Sequence, residues 1–211
     1  MKPLKKIKWL FAKTAKRILQ PPALNNCNIH KTSKVCSASE LTCVSLGKYS
    51  YIGSRCWAVN AEVGSFCSIA DDCRIGGAIH PMEHVSTSPV FHSGKNIMKK
   101  NFAEFVIPKT PHTTIEYDVW LGVGCRIKSG VTVHTGAVIG MGSIVTHDVP
   151  PYEIWAGNPA RKIRDRFDKE TAQRLLESKW WEYSDEELRK AAAYFNDAEA
   201  FLRYIKDKDN H

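Results

Sequence analysis

An aliphatic residue recurs every six positions in the second half of this chain, and this period constrains the fold more than any other feature. It fits neither the 3.6-residue repeat of a helix nor the alternation of a half-buried strand. It is typical of a solenoid whose short strands each form one side of a triangular coil. Because side chains two apart on a strand share a face, each aliphatic residue and the small residue two places before it are predicted to point inward. The aliphatic positions are Ile115, Leu121, Ile127, Val133, Ile139 and Val145.

The same period runs through the first half of the chain with two five-residue steps. The stretch from Gly76 to Thr114 breaks it, and a long irregular loop inside a compact domain is usually functional. We therefore predict an all-β solenoid, a parallel β-helix, over residues 23–163 with an excursion loop at 76–114. The upstream aliphatic positions are Ile29, Val35, Leu41, Leu46, Ile52, Ala58, Val63, Ile69 and Ile75.

The two ends of the chain carry helical patterns instead of hexads. Residues 1–20 hold seven lysine or arginine residues and no acid, with apolar residues at helical spacing, which predicts a basic amphipathic helix over 1–22. Such a helix can bind an anionic membrane surface or pack its apolar face on the protein, and both readings stay open. Asp168 as a cap and the Ser184–Glu187 capping box predict two helices in the extension 164–211, with Trp180 and Trp181 anchoring them to the coil.

Composition restricts the compartment and the partners. Seven cysteines without CxxC or Cys/His ligand spacing indicate a reduced cytoplasm, with no structural disulfide and no metal. The formal net charge of +8 is concentrated in the first 20 residues, so we expect no nucleic-acid partner. No apolar run approaches the roughly 20 residues of a membrane span. We expect a cytoplasmic protein, with peripheral contact to the inner membrane through residues 1–20 as the open alternative.

Four stretches in order carry a resemblance to a known family. They are 64–70 (GSFCSIA), 118–122 (DVWLG), 140–145 (GMGSIV) and 148–160, which contains DVPPY and GNPA. With the hexads and the mid-solenoid loop they resemble the left-handed β-helix, or hexapeptide-repeat, acyltransferases. The branch is that of xenobiotic and polysaccharide O-acetyltransferases. The resemblance covers about residues 27–185, and the left hand of the coil is implied by it alone.

This resemblance implies a homotrimer with acetyl-CoA sites between subunits and a histidine base at the start of the loop, where His80 stands. A neutral imidazole can take the proton of a hydroxyl as it attacks a thioester. Glu83 would hold the His80 ring or bind the acceptor. The cofactor would contact Trp120 and the corner residues Gly122, Gly140, Gly142 and Ser143, with Arg161 and Lys162 near its phosphates.

The acceptor that the sequence favours is a sugar hydroxyl of a bacterial surface polysaccharide or its precursor. In antibiotic-modifying members we expect an asparagine before the histidine, whereas Ile79 stands here. Acetylation of a soluble hydroxyl compound such as an antibiotic is the first alternative, and N-acetylation of an amino sugar is not excluded. A non-catalytic β-helical scaffold is the alternative from another class. A zinc carbonic anhydrase would need histidines on successive coils, and His134 and His147 lack that spacing. The inward cysteines do not suit a nucleophile.

Overall fold

The computed structural model describes residues 10–12, 14–15 and 18–209, with the side chains of residues 208 and 209 left out. Most of the predicted N-terminal helix therefore lies outside the described residues. The strands are β1 (Ala23–Asn25), β2 (Asn28–Ile29), β3 (Lys34–Val35), β4 (Glu40–Leu46), β5 (Tyr51–Ile52), β6 (Trp57–Val63), β7 (Ser68–Ile69), β8 (Arg74–Gly76), β9 (Thr113–Ile115), β10 (Trp120–Leu121), β11 (Arg126–Ile127), β12 (Thr132–Val133), β13 (Val138–Ile139), β14 (Ile144–Val145), β15 (Glu153–Gly157) and β16 (Ala160–Asp165). Residues 10–12, 14–15 and 18–19 of the N-terminal segment are helical. The helices after the coil are α1 (Lys169–Ser178), α2 (Asp185–Ala191) and α3 (Ala198–Asp209).

The strands form a three-sided parallel solenoid, as the hexads predicted. Face A contains β1, β8, β11, β14 and the first halves of β4 and β6. Face C contains β2, β9, β12 and the second halves of β4 and β6. Face B is a separate seven-stranded sheet that runs from β3 through β5, β7, β10 and β13 to β15, with β16 antiparallel at its end.

The aliphatic residues of the hexads fill the interior of this coil in vertical columns. On face B, Ile52, Ile69, Leu121 and Ile139 stack in register and have no exposed surface. Burying one such side chain contributes about 1.5–3 kcal/mol relative to leaving it exposed. Cys56, Cys67, Cys73 and Cys125 occupy the small inward positions and are buried as well. Each coil must supply one aliphatic residue to each column, and this requirement explains the six-residue period.

The five-residue steps of the sequence are corners of a different kind. At Cys43 (φ 53°) and Asn60 (φ 50°) one residue in the left-handed region turns the chain from face A to face C, so β4 and β6 run on without a two-residue turn. The coils upstream of the loop are consequently 17 residues long, with Leu41 paired to Ala58. Downstream the step is 18 residues, and Leu121 pairs with Ile139.

The excursion loop replaces the next of these corners. The chain leaves β8 after Gly76 and returns at Thr113, which pairs with Ala61 directly after the Asn60 corner. The side-chain amide of Asn60 donates to the carbonyl of Thr110 (3.0 Å), and its amide oxygen lies 3.2 Å from Nδ1 of His112. The loop is thus inserted at one edge of the coil, between faces A and C, and the ladder of the core continues past it.

The C-terminal helices pack against the edge between faces C and B. Trp180 and Trp181 are buried, and their rings lie 4.9 Å from Phe66 and 5.2 Å from Tyr117, both at corners of the coil. This confirms the anchoring predicted for the tryptophan pair. The predicted caps are also present: Asp168 accepts from the N–H of Thr171, and Ser184 with Glu187 forms a complete capping box.

Two elements were not predicted from the sequence. The chain after the coil forms an antiparallel hairpin of β15 and β16 with a cis peptide bond between Asn158 and Pro159 at its turn. A third helix, α3, follows the two that the capping patterns indicated, and its Phe201 and Leu202 are buried in the same cluster as Trp180.

Candidate active site

His80 lies at the start of the loop, four residues after the end of β8, and its side chain is exposed. Its Nδ1 lies 2.8 Å from the carbonyl oxygen of Thr87. A carbonyl oxygen can only accept, so Nδ1 carries a proton, and in the neutral ring the lone pair is on Nε2. This is the tautomer that a general base needs when Nε2 faces a substrate. The structure therefore gives the ring a backbone partner, where the sequence suggested Glu83.

Glu83 instead lines a cavity of about 530 Å³ that is built from loop residues. The hydrogen bond between His80 and Thr87 closes a turn of residues 80–87. Glu83 and Ser86 of this turn line part of the cavity. The rest of the lining is mostly apolar, from Val85, Phe91, Phe105 and Val106. These four residues were not predicted. Their signal in the sequence is the unusual number of apolar residues in a surface loop, of which Val85, Val106 and Phe105 are well exposed.

The loop holds this shape through its own small core. Ser88 caps a short 3-10 turn at Pro89–Phe91, and the side chain of Asn101 donates to the carbonyls of His92 (2.6 Å) and Gly94 (3.0 Å). His92 is buried, and its Nε2 has no hydrogen-bond partner within the described residues. An irregular segment that satisfies its backbone internally can keep a defined cavity open.

The predicted cofactor glycines stack at the edge between faces B and A. A Cβ on Gly122 would lie 2.6 Å from the backbone nitrogen of Met141, and one on Gly140 would lie 2.9 Å from Cβ of Ala156, so neither position has room for a side chain. Gly142 (φ 70°) has open space beside it. Ser143 is fully buried, and its hydroxyl donates to the carbonyl of Gly140 (2.6 Å). Its side chain therefore holds the corner and is turned away from any surface ligand.

Trp120 projects from face B and is 54% exposed. It lines a groove of about 380 Å³ together with Val138, Ile154 and Arg164. Val138 and Ile154 continue the column of outward residues in register with Trp120 on β13 and β15. The groove thus pairs an aromatic ring and aliphatic side chains with a cation, and it extends to Asp118, Arg166 and Phe167 on the side of the C-terminal helices. Val138, Ile154 and Arg164 were not among the predicted residues.

The two predicted phosphate ligands lie on β16 and are exposed. Lys162 is engaged by two carboxylates, with Nζ 2.7 Å from both Glu153 and Asp165. These hydrogen bonds, that of Asp165 first, raise the pKa of Lys162. Arg161 donates to the carbonyl oxygen of Ala160 (2.8 Å). An incoming phosphate would have to displace carboxylates from Lys162, whereas Arg161 would lose only a backbone contact.

The predicted residues therefore form two groups on different edges of the coil. The loop with His80 and Glu83 leaves at the edge between faces A and C. The group of Trp120, Gly122, Gly140 and Gly142 lies on face B and at its edge with face A. Arg161 and Lys162 belong with the second group through the pairing of β15 with β13.

The described residues also bear on the cysteine nucleophile and the metal site considered from the sequence. Burial raises the pKa of the Cys67 thiol to about 12, so it is protonated at neutral pH. No group of three or more histidine, cysteine or carboxylate side chains suited to a metal occurs among the residues described. None of the described helices is both long enough and apolar enough to span a bilayer.

Comparison with known proteins places the chain in a family. No family model matches the sequence. A probable macrolide acetyltransferase from Lysinibacillus sphaericus is 35% identical over 144 residues, which are 66% of this chain and 76% of that protein. The chain belongs to the hexapeptide-repeat acetyltransferase family. A chloramphenicol acetyltransferase from Agrobacterium fabrum is 42% identical over 132 residues, 61% of this chain and 63% of the relative. The chain thus spans less than two thirds of that relative's length.

A solved structure shares the fold of this chain. One structure of the N-acyltransferase AntD from Bacillus cereus, with dTDP-4-amino-4,6-dideoxyglucose and Coenzyme A, has a TM-score of 0.50 and 22% identity. The likeness covers 79% of this chain and 96% of that chain. The predicted β-solenoid and the predicted family are confirmed.

Proposed function

We propose that this chain is an acetyl-CoA-dependent O-acetyltransferase in which His80 is the general base. The observation that carries the proposal is the hydrogen bond between Nδ1 of His80 and the carbonyl of Thr87, which leaves Nε2 as the basic nitrogen. Membership of an acetyltransferase family supports the reaction class. A scaffold would have no use for a loop that fixes the tautomer of an exposed histidine in a turn whose residues Glu83 and Ser86 line a cavity.

The reaction needs no covalent enzyme intermediate. Nε2 of His80 takes the proton of the acceptor hydroxyl as the oxygen attacks the carbonyl carbon of the thioester. The resulting oxyanion is stabilised by N–H donors, and the C–S bond breaks when it collapses. The imidazolium then returns its proton to the departing thiolate of CoA. The hydrogen bond to Thr87 keeps the ring oriented in both protonation states, because Nδ1 carries a proton throughout.

For the acceptor we infer a small hydroxyl compound with an apolar body, in place of the polysaccharide favoured by the sequence. A sugar chain needs many hydrogen-bonding partners, whereas the loop cavity offers mainly Val85, Phe91, Phe105 and Val106. Glu83 would bind a polar substituent of this acceptor. The relatives named for chloramphenicol and macrolides point to the same class.

A sugar hydroxyl is the second candidate. Ile79 in place of the expected asparagine favours it, as does a galactoside O-acetyltransferase from Escherichia coli that is 36% identical over 105 residues, 49% of this chain and 50% of the relative. With this acceptor the basic segment 1–20 would bring a cytoplasmic enzyme to substrates at the inner membrane surface.

Acetyl-CoA would lie along the edge between faces B and A, with its pantetheine arm against the Trp120 groove and the backbone at Gly122, Gly140 and Gly142. Its phosphates would meet Arg161, and Lys162 after exchange of carboxylates. Since His80 and this groove lie on different edges, a homotrimer would complete each site by setting the loop of one subunit against the groove of the next.

Thiol release measures the reaction directly. Purified protein with acetyl-CoA and an acceptor should liberate CoA, and His80→Ala should reduce kcat/KM by about 10²–10⁴-fold. His30→Ala is the matched control, because His30 is also exposed and makes a local hydrogen bond, to Thr32, yet follows β2 in the first coil. Full activity in His80→Ala would disprove the proposed mechanism.

The acceptor classes separate with a panel of chloramphenicol, a macrolide and a galactoside. Under the leading proposal, Phe105→Ala should raise KM for the best acceptor and leave KM for acetyl-CoA unchanged. Preference for the galactoside, with no effect of Phe105→Ala, would favour the sugar candidate.

A further inference from the structure

A second cavity, away from the loop and the glycine edge, lies between the coil and the C-terminal helices. This cavity, the cap cleft, has a volume of about 230 Å³ and is walled by Phe167, Trp180, Phe195 and Phe201. The ring of Phe195 lies 5.1 Å from Trp180 and 4.8 Å from Phe201, so these rings form one continuous aromatic surface. The four aromatic residues of this wall lie outside the hexads, and three of them, Trp180, Phe195 and Phe201, do not line the Trp120 groove.

One polar group in the cap cleft is left without a partner. Tyr152 lines the cleft and is only 2% exposed. Its hydroxyl has no partner in good hydrogen-bond geometry among the described residues. Burial raises the pKa of this hydroxyl, and the side chain of Trp180 lies near enough to oppose the shift in part. A buried hydroxyl without a partner costs about 1–3 kcal/mol. The ring cannot retreat, because it covers Gly136, where an added Cβ would lie 2.2 Å from it. The hydroxyl is therefore held in a place where a ligand or a water would satisfy it.

The charges around the cap cleft favour a cation. Two carboxylates, Asp118 and Asp197, line it together with one cation, Arg166. Arg166 is already engaged by Asp118 (3.2 Å) and the carbonyl of Gly136, and it stacks on the rings of Tyr152 and Phe167. Burial raises the pKa of Asp118 even though Arg166 opposes the shift, so this carboxylate is incompletely compensated.

We propose that the cap cleft binds a small organic ammonium that carries a hydroxyl group. Aromatic rings attract such cations through their faces, most strongly when water is excluded. The ammonium would lie against the aromatic wall and the carboxylates, and its hydroxyl would pair with Tyr152. The cleft shares Asp118, Arg166 and Phe167 with the Trp120 groove. The proposal nevertheless does not depend on acetyl transfer, because Tyr152 and Asp197 line the cleft and not the groove.

Choline is a suitable probe, because 3,3-dimethylbutan-1-ol has the same shape without the charge. Isothermal titration calorimetry on the full chain should detect choline binding, with the neutral alcohol at least about tenfold weaker. Equal affinity for the two compounds, or no binding of choline, would overturn the proposal.

Two variants locate the site. Tyr152→Phe removes only the hydroxyl, so it should weaken choline by about fivefold and leave tetramethylammonium, which has no hydroxyl, unchanged. Asp197→Asn should weaken both cations while still capping α3, because the asparagine oxygen can accept from Glu199 and Ala200. If Tyr152→Phe does not fold, Asp197→Asn decides alone. Unchanged affinity of Asp197→Asn for both cations would place the binding elsewhere and refute the site.

Discussion

Gly76 is the last coil residue before the loop, and replacing it with alanine tests whether the geometry of the loop base controls His80. Gly76 has φ of 73°, and an added Cβ would lie 2.2 Å from the carbonyl oxygen of Val59 in the neighbouring coil. Both groups belong to paired strands, β8 and β6, so neither can rotate away. To reach an ordinary contact the backbone must move by about 1 Å.

Two costs add in this variant. Holding alanine in the left-handed region costs about 1–2 kcal/mol, and the steric overlap adds about 1–3 kcal/mol. The total loss in the free energy of unfolding should be about 2–5 kcal/mol. Gly124→Ala is the matched control, because Gly124 has φ of 74° and its nearest neighbour would lie 4.0 Å away. The free energy of unfolding of that variant should fall only by the first cost, about 1–2 kcal/mol.

Urea unfolding gives both free energies, and thiol release gives the effect on the reaction. A shift of about 1 Å at the loop base, four residues before His80, should reduce kcat/KM by about 10²-fold in the folded protein. Gly94→Ala, within the loop at φ of 93° and with nothing within 4 Å, should keep nearly full activity. The reasoning fails if Gly76→Ala is no less stable than Gly124→Ala, or if it retains wild-type kcat/KM.

Three further outcomes are expected. Trp120→Ala should raise KM for acetyl-CoA by about tenfold. Tyr51→Ala, which removes another outward ring on face B, should leave this KM unchanged. Similar effects of the two variants would argue against binding of acetyl-CoA in the Trp120 groove. Arg161→Ala should raise KM for acetyl-CoA but not for acetyl-pantetheine, which lacks the nucleotide phosphates, and equal changes would exclude a phosphate contact. The hydrogen bonds from Thr171 lower the pKa of Asp168, so the carboxylate stabilises the fold above its unfolded pKa and loses this effect as pH falls through the lowered value. The difference in Tm between wild type and Asp168→Ala should therefore shrink below about pH 4. A difference that grows below this pH would contradict this account.

The coil was predictable because the sequence pattern that produces it is local and is repeated in every hexad. Each hexad carries its own inward pair, so the period survives the change from 17-residue to 18-residue coils. The hairpin was not predictable in this way. The sequence of β16, ARKIRD, has only Ala160 buried, so no alternation marks it as a strand. Its pairing with β15 is decided by the tight turn at residues 157–160. The third helix, α3, lacked the capping box that marked α2.

The site was less accessible to sequence reasoning than the coil. The position of His80 followed from the break in the period and from the family resemblance. Its orienting partner is a backbone carbonyl, which leaves no trace in residue identity. Ser143 shows the opposite case: the hexads assign it to an inward slot, which correctly predicts its burial and argues against direct contact with a cofactor. The carboxylates on Lys162 depend on the register of the hairpin, which no local pattern specifies.

The insertion of the loop at a corner has a consequence for how the family diverges. Ladder partners across the loop, such as Val63 and Ile115, are 52 residues apart, whereas partners in the preceding coils are 17 apart. Because closure entropy grows only with the logarithm of length, this longer connection costs about 1 kcal/mol more than an ordinary coil. Such a small cost lets the loop change in length and sequence with little effect on the stability of the coil. If the loop selects the acceptor, as we propose, acceptor preference can drift rapidly in evolution on a scaffold whose hexads must stay almost fixed.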